Sequence, residues 1–202
     1  CPGVAWADDA PAPDASQLAG PPIIVTARLR QEDAQTVPVP ISVASGQTID
    51  LQRIETPRQL DNVAANLNIT QANPRQTIFA IRGIGGTTQV SDGLDSSVGV
   101  YEDGVYLGKP GQFAYDFLDI RQVSVLRGPQ GTLFGRNATS GVVNVITAKP
   151  DLSGFSAACE AEYGNYNSYK IRGMINVPIG ETLGLRVAGL YNKRDGYTYN
   201  IH

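Results

Sequence analysis

Three stretches in the C-terminal quarter alternate between apolar and polar residues, and this pattern constrains the fold more than any other feature. They are residues 155–163, 168–177 and 183–191, separated by turn residues at 164–165 and 178–181. Because successive side chains of a strand point to opposite faces, the alternation predicts three antiparallel strands with one apolar and one polar face. Such strands form either the wall of a membrane β-barrel or a two-faced soluble sheet, and the alternation fits both.

Two β-branched runs flank a glycine-rich connection in residues 123–150, VSVLRGPQGTLFGRNATSGVVNVITAKP. Valine and isoleucine favour strands, whereas the glycines and Pro129 favour turns. One short segment with helical propensity lies between the runs. The pattern predicts a compact βαβ-like element whose last strand, residues 141–149, leads into the alternating stretches.

The block LRGPQGTLFGRNATSGVVNVIT resembles the plug signature of TonB-dependent outer-membrane receptors. Two shorter segments, IRGI at 81–84 and VYEDGVY at 100–106, resemble further plug segments in the same order. The resemblance implies an α+β plug domain of mixed short strands and helices, followed by antiparallel β-strands of an incomplete transmembrane β-barrel. It resolves the ambiguity of the alternating strands in favour of a membrane wall.

The chain is short for a complete receptor of that family. Large plugged transporters have about 22 strands, each of about 9–11 residues, so a wall needs roughly 200 residues before loops are counted. Residues 151–202 suffice for about three strands. We therefore expect a whole plug and the N-terminal fragment of a barrel.

The N-terminal region has the composition of an exported leader. Ala5-Trp6-Ala7 fits the small-x-small cleavage rule, so residues 1–7 are interpreted as a signal-peptide remnant. Residues 8–36 are then a flexible periplasmic leader, since their first half is rich in Pro, Ala and Asp. The plug is expected at 37–150 and the barrel strands at 151–202.

One β-prone island interrupts this leader. It consists of Ile23, Ile24, Val25, Thr26 and Ala27. An extended segment of this kind can add to the edge of a partner's sheet through main-chain hydrogen bonds. The family resemblance identifies it as the TonB box and implies the periplasmic C-terminal domain of TonB as partner. The alternative is that it forms the first strand of the plug.

Short elements are predicted within the plug. Residues 40–43, 68–71, 77–84, 97–101 and 105–107 favour strands, and Asp103-Gly104 indicates a two-residue hairpin turn. Residues 48–54 predict an amphipathic helix that buries Ile49, Leu51 and Ile54. A second helix is expected to begin at Thr56 and Pro57, and a third to span residues 110–118.

Several charged and loop residues are candidate site residues. Arg82 and Arg127 lie among apolar or glycine neighbours, where a charge requires a partner. The resemblance implies that they pair with barrel glutamates, and Glu160 and Glu162 on the polar face are the visible candidates. Outward plug loops are implied to face the ligand, and the candidates there are Gly85, Gly86, Gln89 and Asp92.

The remaining features argue against other classes of protein. The net charge is −3 and no basic face exists, which disfavours nucleic acid as a partner. Two cysteines far apart and one histidine give no metal-ligand spacing, so we expect no metal, no cofactor and no catalytic residues. Residues 104–110 lack the Ser or Thr of a phosphate loop, and residues 82–86 lack the third glycine of a dinucleotide fingerprint.

The resemblance therefore implies an outer-membrane receptor whose plug gates energy-coupled uptake of a scarce ligand, above all a ferric siderophore. The plug and TonB box would face the periplasm, and the wall would contact outer-membrane lipid. The alternatives are a stand-alone periplasmic plug-like binding module and import of a non-iron nutrient such as a carbohydrate. A hydrolase that uses the carboxylates of residues 92–103 is disfavoured, because Asp before Gly is explained by turn chemistry.

Overall fold

The computed structural model describes residues 24–26, 31–33, 38–73, 76–85, 96–109, 112 and 115–196. These residues form thirteen strands: β1 (Ile24–Thr26), β2 (Gln31–Asp33), β3 (Ile41–Ser45), β4 (Leu67–Asn73), β5 (Gln76–Ile81), β6 (Ile84–Gly85), β7 (Val98–Glu102), β8 (Val105–Tyr106), β9 (Ile120–Arg127), β10 (Gly141–Thr147), β11 (Ser156–Gly164), β12 (Ser168–Ile179) and β13 (Leu183–Lys193). They also form α1 (Gly46–Leu51), a 3-10 helix (Pro57–Asn62) and α2 (Gly131–Phe134). We call the elements from β3 to β10 the plug and the strands β11–β13 the wall.

A five-stranded mixed sheet is the centre of the plug. Its order is β3-β9-β10-β7-β8, in which only β10 and β7 pair in parallel among the described strands. β9 and β10 pair antiparallel, so the segment predicted as βαβ-like is a hairpin whose connection contains α2. The prediction of a βαβ-like unit is therefore wrong, although both strands and the short helix between them, α2, are confirmed.

The central strands are apolar on both faces because each face covers a different part of the core. Val123, Val125, Val143 and Val145 belong to the larger cluster, which also includes Ile49, Leu60, Phe79 and Ile81. Leu126 and Val142 point to the opposite face and pack with Phe134 and Ala138. This two-sided burial explains why the consecutive residues Val142 and Val143 of β10 are both apolar.

Gly141 occupies a position that admits no side chain. A Cβ atom there would lie 2.4 Å from the carbonyl oxygen of Leu126 and 2.6 Å from Cδ1 of Ile81. The glycine therefore allows β10 to approach both β9 and the smaller sheet, β4-β5-β6.

Two tight turns shape the strands. Asp103 (φ 48°) and Gly104 (φ 84°) form the two-residue connection between β7 and β8, which confirms the hairpin prediction. Arg82 (φ 56°) and Gly83 (φ 75°) separate β5 from β6 in the same way, so the predicted strand 77–84 folds back on itself.

The plug helices are short and capped by side chains. The Oγ of Ser45 accepts a hydrogen bond from the Thr48 amide at 3.2 Å, and the Gln59 side chain accepts one from the Thr56 amide at 3.0 Å. The start predicted at Thr56 and Pro57 is confirmed, although the helix is of the 3-10 type. In the part of the chain that the structure describes, no helix is long and apolar enough to cross a membrane.

Two helical predictions are wrong in part. Leu51 is 78% exposed, because α1 ends at this residue and only Ile49 and Ile54 reach the core. In the segment predicted as a helix at 110–118, residues 115–118 are not helical, since Phe117 donates its amide to the carbonyl of Glu55 instead.

The wall is an antiparallel sheet in the order β11-β12-β13, with strands of nine, twelve and eleven residues. The predicted alternation is confirmed. The outward face carries exposed apolar side chains, namely Phe155, Tyr163, Tyr169, Ile171, Ile175, Leu183, Leu185, Val187 and Tyr191. The opposite face carries the charged residues and contacts the plug.

Candidate functional site: the contact between plug and wall

The C-terminal end of α1 and the residues after it meet the polar face of β11 and β12 through charged side chains. Asp50 lies 3.3 Å from Nη1 of Arg172, and Arg53 lies 3.0 Å from Oε1 of Glu162. Glu55 forms an ion pair with Lys170. Plug and wall therefore contribute charges of both signs to one contact, which fixes their register.

Arg172 connects this contact to the neighbouring strand. Its Nη2 lies 2.5 Å from Oε2 of Glu160, which stands directly opposite it in the β11–β12 ladder. The guanidinium thus bridges the wall carboxylate and Asp50 of the plug. A planar group with several donors suits this double contact better than an ammonium group would.

A second contact joins the start of β9 to β13. Nε and Nη2 of Arg186 lie 2.5 Å and 2.6 Å from the two carboxylate oxygens of Asp119. Asp119 has φ 53°, and its carbonyl accepts a hydrogen bond from the amide of Ala148 at 2.9 Å. Both side chains are largely buried, at 14% exposure for Arg186 and 18% for Asp119. This two-point pair is better shielded from solvent than the other ion pairs, so dissolved salt screens its attraction only weakly.

The junction between plug and wall is held by Asn176 of β12, which is fully buried. Its Oδ1 accepts from the amide of Asp151 at 2.8 Å, and its Nδ2 donates to the carbonyls of Asp151 at 2.8 Å and Gly154 at 3.0 Å. Hydrogen bonds from Ser153 to the carboxylate lower the pKa of Asp151. The junction is therefore tied to the wall and is not a free hinge.

A cavity of about 600 Å³ lies between the plug and the polar face of the wall. Asp50 and Asp119 line it from the plug, and Glu160, Arg172 and Arg186 line it from the wall. These are the groups that form the ion pairs. The cavity is therefore a polar space at the interface.

The two wall glutamates have partners other than those expected from the sequence. Glu160 pairs with Arg172 and Glu162 with Arg53, because the end of α1 faces β11 and β12 at this level. Among the described residues, neither Arg82 nor Arg127 forms an ion pair with them. Arg82 is exposed, whereas Nε of Arg127 is buried and has no hydrogen-bond partner in the described part of the chain.

The segment expected to be the TonB box is described in part. Ile24, Val25 and Thr26 form β1, which pairs antiparallel with β2, whereas Ile23 and Ala27 lie outside the described residues. Of the expected ligand-facing residues, Gly85 ends β6, and Gly86, Gln89 and Asp92 lie outside the described residues.

The carboxylates Glu102 and Asp103 serve structural contacts. Oε2 of Glu102 accepts a hydrogen bond from the Tyr115 hydroxyl at 3.1 Å, and Asp103 accepts from the amide of Thr147 at 3.0 Å and from its hydroxyl at 2.6 Å. Burial, followed by the nearby Glu102 carboxylate, raises the pKa of Tyr115 far above its usual range. No cluster of metal-binding side chains occurs among the residues that the structure describes.

The sequence missed Asp50, Arg53, Glu55 and Asp119 as interface residues. All four lie at a helix end or in a connecting segment, where charged residues are ordinarily solvated. The available signal was on the wall, because the charges of Lys170, Arg172 and Arg186 on the polar face of the wall strands require partners.

The plug sheet, the capped short helices and the attached two-faced strands together define a receptor plug with adjoining wall strands. Residues 33–142 match the model of the TonB-dependent Receptor Plug Domain family, which covers more than half of the 202 residues. The chain therefore belongs to the TonB-dependent receptor plug domain family.

Individual relatives agree with this assignment. The chain is 28% identical over 177 residues to the pesticin receptor of Yersinia enterocolitica, across 80% of this chain and 26% of that receptor. The ferric yersiniabactin uptake receptor FyuA from Yersinia pestis has a TM-score of 0.67 and 28% identity, over 75% of this chain and 24% of that one.

A further solved structure, the ferripyoverdine receptor of the outer membrane of Pseudomonas aeruginosa, has a TM-score of 0.71 over 86% of this chain and 23% of that one. At 17% identity, this likeness concerns the fold alone. The chain spans about a quarter of the length of these relatives.

Proposed function

We propose that this chain is the plug and first wall strands of an outer-membrane receptor that imports a scarce ligand with energy supplied through TonB. The observation that carries the proposal is the seating of the plug on the polar face of β11–β13, while the apolar face of the same strands is exposed. An exposed apolar face of this extent is suited to contact with lipid, and a charged face that contacts the plug is suited to line a lumen. This arrangement favours a receptor over a stand-alone periplasmic module.

The boundaries that fit this proposal are a signal-peptide remnant at 1–7, a leader at 8–36, a plug at 37–150 and wall strands from 151. The family match at 33–142 supports the plug limits. The start of β11 at Ser156, just after the junction held by Asn176, supports the second boundary.

The proposed ligand is a ferric siderophore. Support comes from a relative at 28% identity whose name refers to ferric yersiniabactin. The segment that contains Gly85, Gly86, Gln89 and Asp92 is proposed to face this ligand from outside the cell. This chain aligns with about a quarter of each relative, and the rest of a receptor also contributes to ligand specificity. The alternative ligand is therefore a non-iron nutrient such as a carbohydrate.

The proposed role of the plug is to close the lumen until TonB binds the segment Ile23–Ala27 in the periplasm. The ion pairs of Asp50, Arg53, Glu55 and Asp119 with the wall hold the plug in place. Arg127, with its buried unpartnered Nε, is proposed to pair with a carboxylate outside the described residues, and Arg82 likewise. No bond is made or broken in this function, so no catalytic residue is proposed.

The experiment that tests coupling replaces Val25 by Pro in the chromosomal gene, which removes a backbone donor from β1 and fixes its φ. We expect uptake of radioactive iron from siderophores supplied singly to fall to the level of a TonB-deficient strain. Ala15→Pro, in the leader outside β1 and β2, is the matched control and should transport normally. Normal uptake by Val25→Pro at an unchanged amount of receptor in the outer membrane would overturn the proposal.

A further inference from the structure

The two short strands β1 and β2 form a sheet of their own. Ile24 pairs with Asp33, Val25 with Glu32 and Thr26 with Gln31, in antiparallel register. The described strands add no third member to this sheet. Each strand therefore uses one edge for its neighbour, and the described strands leave the other edge of β1 without a partner strand.

A sheet of two strands and three residue pairs has little stability of its own. Isolated two-stranded hairpins are marginal in water, and a third strand makes such sheets stable. An open edge of this kind fits a partner that supplies the edge of an existing sheet. Because β2 already holds β1 extended and in register, part of the ordering that a flexible peptide undergoes on binding is complete before the partner arrives.

We propose that Gln31–Asp33 is a second part of the TonB-docking element, which backs Ile24–Thr26 while TonB adds to the other edge of β1. The inference rests on the proposed function, in which Ile23–Ala27 is the segment that TonB binds. The bound form is then a continuous sheet with β1 between β2 and the edge strand of TonB. The partner surface is a protein sheet edge, recognised chiefly through main-chain hydrogen bonds.

The opposite arrangement makes a different prediction. If TonB bound the edge of β1 that β2 occupies, β2 would compete with TonB, and opening of the hairpin would have to precede binding. Fixing the hairpin closed and opening it by mutation therefore have opposite effects under the two arrangements.

The test measures binding of the whole chain in detergent to the periplasmic C-terminal domain of TonB by calorimetry, in a Cys1→Ser, Cys159→Ser background. Val25→Cys with Glu32→Cys, and Ile24→Cys with Asp33→Cys, place cysteines at paired positions. Adjacent antiparallel pairs alternate between narrow and wide spacing, so one of the two suits a disulfide. We expect the oxidised hairpin to bind TonB at least as tightly as the same protein after reduction.

Gln31→Pro and Glu32→Pro change β2 without altering β1, and only one of them is expected to open the hairpin. Successive amides of a strand point in opposite directions, so one of these prolines removes a donor to β1 and the other serves as its control. We expect the proline that removes a donor to β1 to weaken TonB binding about three- to tenfold through lost pre-organisation. Gln17→Pro in the leader should have no effect.

Two results would overturn the proposal: loss of binding on oxidation that reduction restores, or unchanged affinity in both β2 proline variants. Failure of both cysteine pairs to cross-link would contradict the register itself. The proposed function fails separately, if the unmodified chain does not bind TonB or if Val25→Pro binds as well as the unmodified chain.

Discussion

Asp119 of the plug and Arg186 of the wall form a two-point ion pair, with nitrogen–oxygen distances of 2.5 Å and 2.6 Å. The pair lies beside the junction that Asn176 ties to β12. The C-terminal end of the plug is thus fixed to the wall at two neighbouring places, whereas β3, the first plug strand, lies at the edge of its sheet. A pulling force applied at the N-terminal end of the plug would therefore act on β3 before it reached these contacts.

Removal of one member of the Asp119–Arg186 pair leaves a largely buried charge without its partner. We expect Arg186→Gln to reduce the free energy of unfolding by about 2–3 kcal/mol, measured by urea titration in detergent. Arg121→Gln, at an exposed plug position, is the control and should change it by less than about 0.5 kcal/mol. If the double variant Asp119→Arg, Arg186→Asp recovered none of the loss of either single reversal, the pair would not be the cause.

Asn176 satisfies three backbone groups of the junction, and alanine would leave all three without partners. We expect Asn176→Ala to cost about 2–3 kcal/mol and to increase proteolytic cleavage within residues 151–154. Asn192→Ala removes an exposed contact to Asp116 at 3.3 Å and should leave cleavage unchanged. Equal protection of the junction in Asn176→Ala and the unmodified chain would contradict its role.

Cys159 tests the proposal that the outward face of the wall meets lipid, because it is free and exposed on that face of β11. In a Cys1→Ser background, we expect a fluorophore on Cys159 to be quenched by nitroxide-labelled lipids in vesicles and shielded from iodide. The neighbouring position, labelled as Ala158→Cys with Cys159→Ser, lies on the same face as Glu160, which faces the plug, and should show weaker lipid quenching. The reverse order would mean that the wall faces are misassigned.

At Gly141, β10 passes too close to β9 and β5 to accommodate a side chain. We expect Gly141→Ala to destabilise the plug by about 1–3 kcal/mol, since the new methyl group would overlap the Leu126 carbonyl and the Ile81 side chain. Gly131→Ala is the matched control, because a Cβ there meets nothing within 4 Å. In α2 it should stabilise by up to about 1 kcal/mol. Thermal unfolding of both variants measures the difference.

Tyr115 makes plug stability sensitive to alkaline pH. Its pKa is raised in the folded chain by burial and by Glu102, so the unfolded chain ionises this group first as the pH rises past about 10. The folded state then binds one more proton than the unfolded state, and stability falls with increasing pH above that value. We expect Tyr115→Phe to show a shallower fall above about pH 10 and a similar profile below it. Identical alkaline profiles would show that Tyr115 is not responsible.

The sequence predicted those elements whose physics is local. The alternation of residues 155–191 required two-faced strands, Asp103-Gly104 fitted a two-residue turn, and Thr56-Pro57 fitted a helix start. It failed where a distant contact decides the local structure. Leu51 has helical spacing but α1 ends there, and residues 115–118 have helix-compatible composition but pair with the segment around Glu55 instead.

The alternating faces, the plug signature and the β-prone leader segment were thus determined by the sequence itself, because each depends on residue order within one strand or turn. Which charges meet across the interface was decided only by the tertiary structure. Glu162 meets Arg53 and Arg186 meets Asp119, although these partners are more than sixty residues apart. A charged residue on a polar face indicates that a partner of opposite charge is needed, but the packing of the plug against the wall decides which residue is that partner.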